Sequence, residues 1–276
     1  MTSRSRTQLR RSASHKQGST LGFLLKLALF AWILRSLIVA PFSIPSGSML
    51  PTMAIGDYLF VSKWPYGYSR FSFPWNVPSF DGRVLAHYPA RGDIAVFKPP
   101  GEEKVDYVKR VIGLPGDTIE VRNGTLILNG TAVPKVRLGD YAMPVTPNSP
   151  CRTVGRVQPR FGQAPGGGQS CLYPAFRETL PGGKTYTVLD QLDSPLADHF
   201  GPVKVPAGTV FMMGDNRDDS EDSRFTVAEG GVGFVPLDHL VGRAGYAFWS
   251  TDGRAEYLKP WTWFTALRAS RLGTAY

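Results

Sequence analysis

The stretch Phe42–Asp57, F-S-I-P-S-G-S-M-L-P-T-M-A-I-G-D, decides how the rest of the chain is read. It follows directly on an apolar run and carries Ser43, then Ser46 and Ser48 between Pro45 and Pro51. A serine becomes an effective nucleophile only when a base takes its proton. The reading therefore turns on what precedes this stretch and on which base the remaining sequence offers.

Residues 21–40, L-G-F-L-L-K-L-A-L-F-A-W-I-L-R-S-L-I-V-A, match the roughly 20-residue length of a membrane-spanning helix. Lys26 and Arg35 stand near its opposite ends, where long side chains reach the interfaces. Residues 1–40 hold seven Lys or Arg and no acid, against 24 basic and 22 acidic residues in the remainder. The net charge of +9 is thus a topology signal, and no nucleic-acid partner is expected. It predicts a basic cytoplasmic tail over residues 1–20, an anchor over 21–40 in contact with lipid, and everything after residue 40 outside the cytoplasm. A cleaved signal peptide is the first alternative, disfavoured by Pro41 directly after the candidate site at Ala40. An amphipathic helix lying on the membrane surface is the second.

Beyond the anchor the pattern changes to short segments rich in β-branched and aromatic residues. Residues 57–63, 93–98, 106–114, 209–214 and 240–250 read as strands. In I-E-V-R-N-G-T-L-I-L, Asn123-Gly124 predicts a two-residue type I′ hairpin turn. Residues 134–202 are rich in Pro and Gly and read as an irregular inserted subdomain. No helix-period segment lies between residues 41 and 255. The fold class is therefore mainly β: an antiparallel domain over 41–133 and 203–276, with the insertion, preceded by one transmembrane helix. The tail W-T-W-F-T-A-L-R-A-S-R-L-G is suited either to core packing or to the membrane interface.

Cys151 and Cys171 are the two cysteines, and neither belongs to a zinc-type cluster, so no metal is expected. In an oxidising compartment they are expected to close one disulfide; free thiols in the cytosol are the alternative.

Three polar clusters punctuate the strands: P-S-G-S-M-L-P-T at 45–52, D-Y-V-K-R at 106–110 and G-D-N-R-D-D-S-E-D-S-R at 214–224. All four histidines lie outside them, so their positions give no support to a Ser-His-Asp triad. Lys109 is the alternative base. On a strand it shares a face with Tyr107, while Val108 and Arg110 share the other. To be neutral near pH 7 to 8, from a reference pKa of about 10.4, it must be desolvated at a cost of about 4 kcal/mol, within the range of buried lysines. An exposed strand lysine is the ordinary alternative.

These motifs, with I-G-D at 55–57, V-I-G-L-P-G-D at 111–117 and L-V-G-R-A at 240–244, resemble those of type I signal peptidase, the membrane-bound Ser/Lys leader peptidase of bacteria. The resemblance runs from the anchor to the end of the chain and is weakest over residues 134–202. It implies Ser48 as nucleophile and Lys109 as general base, with the Ser46 hydroxyl and the Ser48 N–H as oxyanion donors. It further implies that Ser220 orients the lysine, that Asp222 and Arg224 form a supporting ion pair, and that no cofactor takes part. Phe42, Ile44, Met49, Tyr107 and Val108 are the implied lining of shallow substrate pockets. The implied substrates are preproteins bearing signal peptides, cut after small residues at the first and third positions before the bond. The implied setting is the bacterial cytoplasmic membrane near the export translocon, single-pass, with the catalytic domain periplasmic. A catalytically inactive, membrane-tethered β module that binds exported chains is the rival from another class. A self-cleaving repressor would need a DNA-binding domain where this chain has an anchor, and a β-lactamase would need Lys where Pro51 stands.

Overall fold

The computed structural model describes residues 20–155, 157–164, 167–256 and 258–276, so the expected cytoplasmic tail lies outside the described residues except for Thr20. Helix α1 (Thr20–Ile33) continues into a π-helical turn, Leu34–Ile38, giving an apolar helix of 19 residues. At 1.5 Å per residue it is about 28 Å long, close to the thickness of a bilayer core. The Leu and Phe side chains over residues 21–30 are exposed, as suits contact with lipid. Val39 and Ala40, expected at the end of this helix, instead begin strand β1 (Val39–Ser43). The cause is Pro41, which has no N–H for a helix and pushes the residue before it into extended backbone.

Strand β1 pairs antiparallel with β2 (Asp57–Ser62), Val39 opposite Ser62 and Ser43 opposite Tyr58. The serine-bearing stretch is thus the loop of a hairpin whose first strand emerges directly from the apolar helix. A seven-stranded sheet follows in the order β1, β2, Leu240–Ser250, β3 (Ile94–Phe97), β4 (Tyr107–Gly113), Thr209–Met213 and Val235–Pro236. Alternation sets its faces: in β2, Leu59 and Val61 are buried while Tyr58 and Phe60 are exposed. Met49 and Met53 from the serine loop pack under the sheet with Leu59, Val61, Ile94 and Val241.

The Asn123-Gly124 turn has positive φ at both residues, 50° and 67°, and joins Thr118–Arg122 to Thr125–Leu128 as predicted. Residues 134–202, expected to be irregular, instead carry a four-stranded antiparallel sheet of Lys135–Pro144, Arg160–Gln163, Gln169–Thr179 and Thr185–Leu189. Lys135–Pro144 escapes a periodicity reading because K-V-R-L-G-D-Y-A-M-P is charged and half-exposed on both faces, and the alternating Gln169–Thr179 is masked by its internal Pro174. Pro174 sits where the register of Gln169–Thr179 shifts, a place where a missing N–H is tolerated. Cys151 and Cys171 are joined, Cα to Cα 5.6 Å, tying a loop to this sheet. His199–Lys204 pairs not with it but with Thr118–Arg122. In the tail, Trp261 and Phe264 face outward, while Arg268 and Arg271 return to Asp57 at the start of β2.

Candidate active site

Lys109, the third residue of β4, donates from Nζ to Ser48 Oγ at 2.8 Å. Both residues are buried, Lys109 to 3% exposure. Strand alternation turns Tyr107 and Lys109 to one side, and the ammonium lies 5.6 Å from the Tyr107 ring. Burial pushes the Lys109 ammonium down to about 8; the negative charges of Asp222 and Glu221 pull the other way without cancelling it. Ser46 Oγ is 3.5 Å from Ser48 Oγ. Among the described residues no histidine hydrogen-bonds Ser48: His199 pairs with Asn123 and His239 with the Lys98 carbonyl.

A cleft of about 540 Å³ opens over the pair. Phe42, Ile44, Tyr107 and Val108 line it, together with Val96 and Val105. Met49 does not. It is fully buried in the core beneath the loop, because the turn after Ser48 points the next side chain inward. Phe42 and Ile44 approach from β1 and its continuation, while Tyr107 and Val108 come from β4. Since β1 is an edge of the sheet, it offers an unpaired backbone edge beside the cleft.

The third cluster packs against the serine loop from below. A Cβ on Gly214 would lie 2.2 Å from Ser220 Oγ and 2.6 Å from the Ser48 carbonyl, so only glycine permits this approach. Asp222 and Arg224 form a buried bidentate ion pair, 2.9 Å on each side, and Asp222 also accepts the Gly214 N–H. Burial alone would raise the Asp222 carboxyl; Arg224, with the Gly214 N–H, overrides it and holds the carboxyl below its usual range. Ser220 is buried nearby, but its Oγ has no hydrogen-bond partner among the described residues. The bond to the lysine that the resemblance implies is therefore not made.

A family model described as signal peptidase, peptidase S26, matches residues 18–249. The signal peptidase I of Rickettsia typhi is 35% identical over 80% of this chain and 76% of its own length. That of Rickettsia canadensis is 36% identical, also over 80% and 76%. The chain belongs to the signal peptidase family, peptidase S26. A crystal structure of a signal peptidase I from Enterococcus faecalis V583 aligns at 24% identity over 57% of this chain and 97% of that one, with a TM-score of 0.28.

In this signal peptidase, two bracing contacts escape a motif-by-motif reading. Asn216 donates from its backbone to the Ser48 carbonyl at 3.0 Å and from Nδ2 to the Gly47 carbonyl at 3.1 Å. Arg110, next to Lys109 but facing away, makes a bidentate pair with buried Asp215 at 2.8 and 2.6 Å, and Thr52 donates to the same carboxylate. The signal for both was present in the charged motifs Y-V-K-R and G-D-N-R. Charges inside a strand and a turn pattern read as solvated until their partners are known.

Proposed function

We propose that Ser48 and Lys109 carry the peptidase activity of this chain. The observation that carries this reading is the 2.8 Å contact between a buried serine hydroxyl and a buried lysine that has no ion-pair partner among the described residues. Neutral Lys109 takes the Ser48 proton as Oγ attacks the scissile carbonyl, then returns it to the leaving amine. A water, deprotonated by the same amine, hydrolyses the acyl-enzyme ester and frees Ser48. The Ser48 N–H donates to nothing among the described residues, and with the Ser46 hydroxyl it supplies donors for the tetrahedral oxyanion.

The substrate strand runs extended along the free edge of β1, opposite β4, so that backbone pairing gives affinity and the apolar walls accept small side chains. This fits a preprotein cut behind its signal peptide after small residues at the first and third positions. The nucleophile lies eight residues past the anchor, near the bilayer surface where such a site emerges. By the basic-flank rule the N-terminus is cytoplasmic and the catalytic domain, 41–133 with 203–276, lies on the far side of a bacterial cytoplasmic membrane, near the translocon. The sheet within 134–202 is an insertion carried on that domain.

The test is cleavage of a preprotein with an Ala-x-Ala site by the detergent-solubilised full chain, read by mass spectrometry. A single cut after the second Ala is expected; no cut by folded protein would favour the tethered binding module. The pH profile is a second reading. Lys109 is charged below about 8, so the rate should fall about tenfold per pH unit on acidification below that value. A rate flat from pH 8 to pH 5 would exclude a lysine base. Ser46→Ala should lower kcat by about 10²- to 10³-fold, as loss of one oxyanion donor does, with little change in KM.

A further inference from the structure

At the foot of the anchor, beside the cleft, lies a second cavity of about 420 Å³. Arg35, Lys63, Lys98 and Lys104 line it with two carboxylates, Glu103 and Asp106. Both carboxylates are already paired, Glu103 with Arg70 at 2.9 Å and Asp106 with Lys98 at 3.0 Å. Three cations remain without an ion-pair partner among the described residues. Lys63 is the informative one: it is only 4% exposed, yet among the described residues its ammonium makes no hydrogen bond or ion pair, and it lies over the Phe42 ring, 5.7 Å from the centroid. Burial, with Arg35 and Lys98 nearby, brings it down to about 8 despite Asp106. An unpaired buried ammonium among further cations is costly, and an anion in the cavity removes that cost.

The setting identifies the anion. Arg35 lies in the last turn of the apolar helix, Trp32 of that helix stacks on Phe73 at 6.0 Å, and Trp75 at the cavity is 87% exposed. An exposed Trp beside Lys and Arg at a helix end is the composition of a membrane interface. The anion present at that depth is a lipid phosphate. We propose that this cavity binds the phosphate of an anionic membrane lipid, with Lys63 as the buried contact and Arg35 and Lys104 at the mouth. The inference rests on the membrane anchor and not on the roles of Ser48 and Lys109.

The test is native mass spectrometry of the detergent-solubilised full chain, offered phosphatidylglycerol or phosphatidylcholine at matched concentration. Wild type should retain phosphatidylglycerol preferentially. Lys63→Met should weaken that preference about fivefold or more, and the exposed Lys104→Gln, which carries no risk to the core, by about fivefold, the worth of one lysine at an anionic surface. Equal retention of the two lipids by wild type, or a preference unchanged in both folded variants, would overturn the proposal. Saturable binding of inorganic phosphate alone, without lipid preference, would give the site to the free anion and overturn the lipid assignment. The cavity shares Phe42 and Asp106 with the cleft. An unaltered lipid preference in Lys63→Met with a raised KM for preprotein would therefore assign it to the substrate chain instead.

Discussion

Lys109→Met is expected to lower kcat by about 10⁴-fold or more while leaving the fold and KM nearly unchanged. The ammonium's hydrogen bond goes to Ser48 Oγ, and methionine fills the same buried space without it. Replacing a desolvated lysine by an apolar chain of similar length is neutral or stabilising, so the melting temperature should not fall. The apolar walls of the cleft stay in place, which protects KM. Ser48→Ala should cost as much, and the double variant little more, because a nucleophile and its base act as one unit. Initial rates on a labelled preprotein, beside a thermal melt, check all three. Activity within tenfold of wild type would remove Lys109 as the base and turn attention to Asp219 and Glu221, the cleft carboxylates whose charges act on Lys109.

How far the site could be read from the sequence follows from the range of each physical signal. The Asn123-Gly124 turn is local: two residues that tolerate positive φ between β-rich runs are enough. Alternation likewise placed Tyr107 and Lys109 on one face of a strand. That Ser48 meets Lys109, 61 positions later, lies beyond any periodicity; the ordered set of motifs shared with a family supplied the pairing. Finer detail departs from expectation, including detail that the resemblance implies. Within 134–202 the Pro and Gly residues conceal a sheet: Lys135–Pro144 is too charged and half-exposed to alternate, while Gln169–Thr179 alternates but carries Pro174 in its middle. The resemblance implies Met49 as a wall of the substrate pocket, but the loop turns it into the core. Ser220 is implied to orient the lysine, yet its hydroxyl makes no hydrogen bond among the described residues. Arg110 was seen only as facing away from Lys109, and its partner Asp215 lies 105 positions on.

Asp57→Ala is expected to destabilise the protein by about 3–5 kcal/mol, the usual cost of stripping a buried charge network of one sign. Asp57 is fully buried at the start of β2 and accepts from the Ala54 N–H at 2.9 Å, Ser250 Oγ at 2.7 Å and Tyr276 Oη at 3.0 Å. Arg271 grips it through two nitrogens, at 2.8 and 2.6 Å. Burial by itself would raise the carboxyl; Arg271 and the Ala54 N–H outweigh it and hold the group below the usual range. Without it, two largely buried guanidiniums lose their anion. The same two arginines donate to the Thr52 and Ile55 carbonyls, so the C-terminal segment closes the back of the serine loop through this carboxylate. The variant should therefore melt roughly 6–15 °C lower and lose activity below its melting point as Ser48 drifts from Lys109. Its pH dependence has a definite sign. A depressed carboxyl contributes stability that is present above its unfolded pKa of about 3.9 and lost as pH falls through the lower folded value. Wild type should lose this part only below about pH 4, and Asp57→Ala should show a flatter stability curve there. Tyr276→Phe, which removes the hydroxyl that donates to Asp57 and accepts from Arg271, should cost only about 1–2 kcal/mol. Urea unfolding of the three proteins at pH 7 and pH 3.5 measures both effects. A loss in Asp57→Ala no larger than in Tyr276→Phe would show that the tail is not what holds the serine loop in place.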